Sequence, residues 1–223
     1  MSDRAKFPFE DPSLQLAPTA GRLLDAARSI LASDGFAALT IKAVTTRSGE
    51  NLAAVHYYFG NKDGLVRALL DSHTYVASVS LLDRAEAMAP GEERTDTWLD
   101  GVREIAEDAE SFVAFFELLP RALRRDDLRD RLALLYEWYR ESNVDVLRTQ
   151  LPQEDAEAMA VLVVAVIDGL AIQKNLQPDL DTRSAFDMLK SLLASLANDR
   201  RSDATTAPSS AAHPGRPCAP RAR

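Results

Sequence analysis

The chain has 223 residues, a net charge of −8 and one cysteine, Cys218. This length allows one helical domain or two small ones, and a single cysteine excludes an internal disulfide framework and suits a reducing cytoplasm. The longest apolar run, 158–167, is too short to cross a bilayer, so the sequence predicts a cytoplasmic protein without a membrane partner.

The negative charge is concentrated in the middle of the chain. Residues 1–64 hold seven basic and seven acidic side chains, whereas residues 65–199 hold 14 basic and 26 acidic ones. Residues 200–223 hold five basic side chains and one acidic side chain. A neutral N-terminal region can still bind DNA phosphates through a few well-placed donors, with less non-specific attraction than a basic domain has.

Apolar residues recur at spacings of three and four, and no alternating run is long enough to form a sheet. The sequence therefore predicts an all-α protein of about nine helices. Their approximate ranges are 18–34, 40–47, 51–59, 62–89, 93–109, 111–125, 127–149, 153–176 and 183–199. An N-terminal arm at 1–17 precedes them, and a tail at 200–223, rich in Ser, Ala, Pro and Arg, is expected to be disordered.

Residues 40–62, TIKAVTTRSGENLAAVHYYFGNK, show a helix-turn-helix pattern. Thr40 can cap a first short helix, Gly49 permits the positive φ of a tight turn, and Asn51 can cap a second helix. Val55 and Phe59, four residues apart, are expected to face the core. This layout is typical of a DNA-reading head with its second helix in the major groove.

The outward residues of this segment have side chains suited to DNA contacts. Leu52 or Ala53 can pack on a thymine methyl group, and Asn51 and His56 can donate to base edges or phosphates. Hydroxyl groups, the helix N-terminus at Thr40 and a lysine can reach phosphate oxygens. The predicted DNA-binding residues are Thr40, Lys42, Asn51, Leu52, Ala53, His56, Tyr57, Tyr58 and Lys62.

The stretch from about Arg22 to Leu70 resembles the N-terminal domain of the tetracycline-repressor (TetR/AcrR) family of bacterial regulators. The resemblance rests on LLDAARSILASDGFAALTI followed by SGENLAAVHYYFGNKDGLVRALL. It implies an all-helical homodimer with a DNA-binding domain at 18–64 and an effector-binding and dimerisation domain at 65–199. It also implies that Lys42 and the outward residues 51–53, 56 and 57 face DNA, with Thr40, Tyr57, Tyr58 and Lys62 at the usual phosphate contacts.

Two residues depart from the family pattern. Glu50 replaces an apolar residue that usually packs inward, so we expect it to face solvent in a less tightly packed turn. His56 stands where Tyr or Asn is common, which leaves the base preference open and can make the contact depend on pH.

Aromatic residues cluster in the second domain. Any one of them could be ordinary core, but a sensing domain needs an apolar pocket, and some are expected to line it. The predicted effector pocket consists of Trp98, Phe112, Phe115, Phe116, Tyr136 and Tyr139. The predicted helix 62–89 would connect this pocket with the DNA-binding helices, so an effector could act by tilting it.

The predicted helix 153–176 is apolar nearly all round and must be covered on both sides. Together with the predicted helix 183–199, it suggests a four-helix interface with a second copy. Gly169 permits close helix crossing or simply packs within the chain, and the string DGLAIQ at 168–173 resembles the dimer helix of the family's choline-regulator-like branch. The predicted interface residues are Leu162, Val166, Gly169, Leu170, Leu189 and Leu193.

These patterns predict a dimeric repressor that binds palindromic double-stranded operator DNA and is released by a small-molecule effector. An enzyme is not expected, because His56, His73 and His213 are dispersed and no phosphate loop, nucleophile elbow, metal site or cofactor site is present in the sequence. The alternative is a helical adaptor that binds another protein, or a regulator without an inducer.

Overall fold

A computed structural model of the chain describes residues 7–9, 17–73 and 75–206. Within these residues the fold consists of α-helices and one short 3₁₀ turn, which confirms the predicted all-α class. The helices are α1 (Pro18–Asp34), α2 (Ile41–Ser48), α3 (Leu52–Phe59), α4 (Lys62–Asp71), α5 (Tyr75–Glu86), α6 (Glu92–Ala106), α7 (Ala109–Ala122), α8 (Asp126–Leu147), α9 (Gln153–Leu176) and α10 (Thr182–Thr206). The 3₁₀ turn, Phe36–Ala38, joins α1 to α2.

Local capping sets the boundaries of the first helices. Gly35 ends α1 with a φ of 74°, and its N–H donates to the carbonyl of Leu31. The Thr40 hydroxyl accepts from the Ala43 N–H at 3.1 Å, which satisfies a free donor of the first turn of α2. Gly49 then ends α2 in the left-handed conformation, with a φ of 72°.

Helices α1–α3 and the start of α4 enclose a small apolar core. Leu23, Leu39, Val44, Val55 and Leu65 are fully buried there. Burying a valine or leucine side chain contributes about 1.5–3 kcal/mol, so this core holds the short helices in place. Val55 is the one buried residue of α3, which leaves the rest of that helix available for contacts outside the chain.

The remaining helices form the second domain and contact the first. Helix α8 packs along α9, α5 packs on α6, and α10 packs on α6. Helix α1 packs on α7, and α4 packs on both α7 and α8. Among the described residues, no helix is both long and apolar enough to cross a membrane.

The predicted helix 62–89 is wrong as a single helix, because α4 ends at Asp71 and α5 begins at Tyr75. The Tyr139 hydroxyl of α8 donates to the carbonyl oxygen of His73 at 2.6 Å. This contact gives the carbonyl a partner outside the helix ladder, which is what a backbone group at a helix break requires.

The last helix is longer than its predicted range, since α10 continues beyond 199 to Thr206. Arg200 forms an ion pair with Asp155 of α9 at 2.6 Å, and the Ser202 hydroxyl donates to the carbonyl of Asn198. Residues 200–206 of the predicted disordered tail are therefore helical. Residues 207–223 lie outside the described residues.

Candidate functional site

Helix α3 presents an exposed surface made of predicted DNA-binding residues. Asn51, Ala53 and His56 are exposed, and Leu52 and Tyr57 have exposed fractions of 55% and 80%. The Asn51 side-chain oxygen accepts from the Ala54 N–H at 2.9 Å and caps the helix. That oxygen is occupied, so the amide N–H₂ of Asn51 is the group available to DNA.

The predicted phosphate-binding residues surround this surface and differ in their solvent exposure and in their contacts within the chain. Thr40 and Lys42 are exposed, whereas Tyr58 and Lys62 are half-buried. The Tyr58 ring contacts the Tyr57 ring, with centroids 4.9 Å apart. The Lys62 ammonium lies 4.5 Å from the centroid of the Phe36 ring, a cation–π contact that must loosen before the lysine extends to a phosphate.

His56 has one ring nitrogen occupied within the chain. Nδ1 lies 2.7 Å from the carbonyl oxygen of Gly60, at the end of α3. A carbonyl only accepts, so Nδ1 carries the proton and Nε2 is the outward nitrogen. In the neutral ring Nε2 accepts a hydrogen bond, and it donates only when the ring is charged. The predicted donation from His56 to a base edge or a phosphate therefore requires the charged ring.

Glu50 does not face solvent freely, which corrects the expectation for the turn. Its carboxylate pairs with the Arg22 guanidinium of α1 at 2.6 Å, and its side chain is only 17% exposed. The ion pair joins the turn to α1 in place of apolar packing. Arg22 could not be identified as the partner from the sequence, because the two residues are 28 positions apart.

Gly64 fixes the distance between α3 and α4. A Cβ atom at this position would lie 1.8 Å from the carbonyl oxygen of Phe59, the last residue of α3. Asn61 caps α4 by accepting from the Gly64 N–H at 2.9 Å. The first turn of α4 is therefore held tightly against the end of α3.

Ion pairs connect α4 with α8. Arg125 contacts Asp63 at 3.2 Å and Asp127 at 2.9 Å. At the other end of α4, Arg131 contacts the buried Asp71 carboxylate through two nitrogens at 2.5 Å. Burial raises the pKa of Asp71, and the Arg131 guanidinium beside it acts in the opposite direction.

A second connection joins α7 to the turn after α1. The Glu117 carboxylate accepts from the Phe36 N–H at 3.0 Å, and the Arg121 guanidinium lies 3.7 Å from the Phe36 ring centroid. Motion of α7 or α8 in the second domain would therefore be passed to the first domain through α4 and the turn after α1.

A cavity of about 60 Å³ lies in the second domain between α5, α6, α7, α8 and α9. Four of the six predicted pocket residues line it: Trp98, Phe112, Tyr136 and Tyr139. Phe115 and Phe116 do not, because Phe115 stacks on His73 with centroids 4.2 Å apart and Phe116 packs against both neighbouring phenylalanines. The lining also includes residues outside the predicted pocket, among them His73, Trp138, Ser142, Asn143 and Asp168.

The polar groups of the cavity are few and mostly fixed. The Tyr136 hydroxyl donates to the Asp168 carboxylate at 2.7 Å, and burial raises the pKa of Asp168. Burial, with a smaller effect of the nearby Arg28 charge, lowers the pKa of His73 to about 3, so its ring is neutral at pH 7. Asp168 is the one acidic residue of the lining, which contains no Lys or Arg.

The predicted dimer residues lie on α9 and α10. Leu162 is 56% exposed, and Val166, Gly169, Leu170 and Leu189 are half-buried. Leu193 is 3% exposed within its own chain, so it has almost no surface left for a second copy. A Cβ added at Gly169 would meet no atom within 4 Å, so this part of α9 is open.

The N-terminal arm touches the second domain near the cavity. The Phe7 ring packs against Tyr75 at 4.1 Å and against Trp138 at 5.1 Å between centroids. The Phe9 ring lies 4.2 Å from the Arg131 guanidinium. Nothing in the sequence pattern predicted these contacts, because they depend on long-range packing.

Among the described residues, no group of histidine, cysteine and acidic side chains is arranged to hold a metal ion. The exposed surface of α3 and the aromatic cavity are two features whose chemistry suggests binding.

Two family models match the chain. The model of bacterial regulatory proteins of the tetR family matches residues 23–69, and the model of the BetI-type transcriptional repressor C-terminal domain matches residues 86–198. The HTH-type transcriptional regulator BetI of Rhizobium meliloti (strain 1021) is 30% identical over 157 residues, which cover 70% of this chain and 77% of that protein. BetI 1 of Chromohalobacter salexigens is 24% identical over 86% of this chain and 100% of that protein.

Solved structures show the same fold. A transcriptional regulator from Pseudomonas aeruginosa PAO1 superposes with a TM-score of 0.66 at 22% identity, covering 86% of this chain and 95% of that one. A transcriptional regulator from Saccharomonospora viridis, solved in complex with choline, has a TM-score of 0.58 at 20% identity, covering 80% of this chain and 94% of that one.

Proposed function

The chain belongs to the TetR family of helix-turn-helix regulators and has a BetI-type repressor C-terminal domain, and on this premise we propose how it recognises DNA and an effector. It is a DNA-binding transcriptional repressor and not an enzyme. In our proposal it acts in the bacterial cytoplasm as a homodimer on a palindromic operator, and a small organic cation in the cavity releases it.

The exposed surface of α3 is the observation that carries the proposed DNA contacts. Tyr57 and Leu52 are large side chains that α3 leaves in solvent, although their apolar surface would favour burial. An operator major groove would cover them, with Leu52 and Ala53 near the groove floor and Tyr57 at its edge. Thr40, Lys42, Tyr58 and Lys62 would contact the phosphates on either side.

An apolar surface on α9 and α10 supports the homodimer. Leu162, Ile172 and Leu176 are exposed on α9, and Met188 and Leu192 are exposed on α10. Two such helices meeting their symmetry copies would bury this surface in a four-helix interface. The dimer would place two α3 helices in successive major grooves, about 34 Å apart.

The composition of the cavity supports a cationic effector. Aromatic rings attract a cation through their faces, and the Asp168 carboxylate adds a negative charge without any Lys or Arg in the lining to neutralise it. The choline complex of the similar S. viridis regulator agrees with this chemistry. The small cavity volume favours a compact quaternary or tertiary ammonium compound.

Release would follow from the position of His73. This residue lines the cavity directly after α4, and Asp71 at the end of α4 is paired with Arg131 of α8. An effector that moves His73 would shift α4 relative to α8 and change the spacing of the two α3 helices. The affinity for both half-sites together then falls because it depends on that spacing.

The test is fluorescence anisotropy with labelled duplexes from the region upstream of the chain's own reading frame, at two salt concentrations. The parent protein should bind a palindromic duplex in preference to a scrambled one, and choline should lower the affinity. Tyr57→Ala should weaken binding roughly tenfold or more, the loss of one hydrogen bond to a charged group. Leu134→Ala, which removes a side chain with 46% exposure on α8, is the matched control and should bind like the parent.

Failure to prefer any duplex would contradict the proposed operator contacts and favour the adaptor alternative. Equal binding by the Tyr57→Ala variant would show that α3 is not the reading surface. Unchanged DNA affinity in the presence of saturating choline would contradict the proposed effector while leaving the DNA contacts intact.

A further inference from the structure

Two buried polar atoms of the cavity have no hydrogen-bond partner among the described residues. They are the Asn143 side-chain oxygen and the Ser142 hydroxyl, on neighbouring residues of α8. Both residues line the cavity, and each is only 6% exposed. Buried polar groups of folded proteins are nearly always hydrogen-bonded, so two such atoms without a partner in the lining of one cavity point to a ligand.

The Asn143 amide is held in one orientation. Its Nδ2 group donates to the carbonyl oxygen of Tyr139, one turn earlier in α8, at 2.5 Å. Turning the amide over would place two oxygen acceptors against each other, so the assignment follows from the contact itself. The unpartnered atom is therefore the amide oxygen, which only accepts a hydrogen bond.

The Ser142 hydroxyl can donate or accept. Together with the acceptor-only amide oxygen in the same cavity lining, it offers the donor and the acceptor that a hydroxyl group of a ligand can use. Such a group would donate its proton to Asn143 and accept the proton of Ser142. A carboxylate at this position would accept from Ser142 but would face the Asn143 oxygen with its own negative charge.

We propose that Ser142 and Asn143 form an alcohol-binding subsite that selects effectors carrying a hydroxyl group over those carrying a carboxylate or an alkyl group at that end. The subsite rests on the proposed function of the cavity as the effector site, and it adds the second recognition element of the ligand. The aromatic rings and Asp168 bind the other end, and the spacing of the two groups sets the length of the effector.

Three probes separate the subsite from the cation site by isothermal titration calorimetry. Choline carries both the quaternary ammonium and the hydroxyl group. Ethyltrimethylammonium lacks the hydroxyl, and 3,3-dimethylbutan-1-ol keeps the hydroxyl but replaces the charged nitrogen by carbon. Choline should bind roughly tenfold to a hundredfold more tightly than ethyltrimethylammonium, as expected when a buried acceptor is left without a partner.

The variant Asn143→Leu should abolish this preference, so that choline and ethyltrimethylammonium bind it equally. Asn175→Leu is the matched control, because Asn175 donates to the carbonyl one turn earlier in α9, at 2.8 Å from Ala171, and does not line the cavity. This control should keep the parental preference. In the absence of any ligand, Ser142→Ala should melt at an equal or higher temperature than the parent, because it removes a buried hydroxyl without a partner.

Equal binding of choline and ethyltrimethylammonium to the parent would overturn the subsite while leaving the cation site standing. Equal binding of choline and the neutral alcohol would overturn the cation site while leaving the subsite standing. No binding of any probe would overturn both. A fall in melting temperature of Ser142→Ala would show that the hydroxyl has a structural partner within the chain.

Discussion

Substitution of Gly64 tests how α3, the helix proposed to contact the DNA bases, is positioned. In Gly64→Ala the new Cβ would lie 1.8 Å from the carbonyl oxygen of Phe59, whereas real Cβ contacts are essentially never under 3.0 Å. The separation must therefore grow by about 1.2 Å, the difference between these two distances. Either the end of α3 or the start of α4 has to move by that amount.

The obstacle is backbone, so a side-chain rotation cannot relieve it. The Phe59 carbonyl oxygen also accepts from the Asn61 N–H at 2.8 Å, and that bond would be disturbed as well. Overpacking of this kind costs about 1–3 kcal/mol of stability. A shift of about 1 Å in α3 would weaken its directional contacts with DNA, and we expect the operator affinity to fall roughly tenfold to a hundredfold.

Gly101→Ala is the control, since its Cβ would lie 2.3 Å from Leu81 Cδ1, a side-chain end in the second domain. Both variants should melt at lower temperatures than the parent, measured by circular dichroism. Only Gly64→Ala should lose operator affinity in anisotropy titrations below its melting temperature. Parental affinity in Gly64→Ala, or a parallel loss in both variants, would refute the role assigned to this glycine.

Three further predictions concern the turn, the cavity and the dimer. Glu50→Leu should change stability by less than about 1 kcal/mol in thermal melts. Glu50 is only 17% exposed, but its partner Arg22 is 54% exposed, so solvent screens the ion pair and its contribution is small. A larger loss would show that the ion pair stabilises the turn more strongly. His73→Phe keeps an aromatic ring that can stack on Phe115 but removes the titrating imidazole. Between pH 6.5 and about 3, this imidazole is charged in the unfolded chain and neutral in the folded protein, because burial lowers its pKa. When the pH falls from 6.5 to 4.5, the free energy of unfolding in urea titrations should therefore decrease by about 2 kcal/mol more for the parent than for this variant. Equal decreases would show that burial of neutral His73 does not cause the loss. Leu162→Glu should shift the protein towards a monomer in analytical ultracentrifugation and weaken operator binding, whereas Leu134→Glu should do neither; a Leu162→Glu dimer would place the interface elsewhere.

The first domain is predictable from the sequence because its boundaries are set by neighbouring residues. Thr40, Asn51 and Asn61 each cap the helix that follows them, and glycines 35, 49 and 60 end the helices before them with positive φ. These signals act over three or four positions. The family resemblance rests on the same local order, and the family matches confirm it.

The break after α4 and the cavity lining could not be predicted in the same way. The break is stabilised by Tyr139, 66 positions away from His73. Phe115 and Tyr139 look alike in a helical pattern, but only Tyr139 reaches the cavity. The sequence does contain one signal for the cavity. Ser142, Asn143 and Asp168 are polar residues within otherwise apolar helix faces, and a polar residue at a buried position can mark a binding site.

The packing of Phe7 and Phe9 matters for how the protein is prepared for experiments. A version trimmed to start at α1 would lose the Phe7 contact with Trp138 and the Phe9 contact with the Arg131 guanidinium, although no residue of α3 had been altered. Trp138 belongs to the cavity wall, so ligand responses measured on such a version would differ from those of the longer chain. Purification tags are therefore better attached at the C-terminal end.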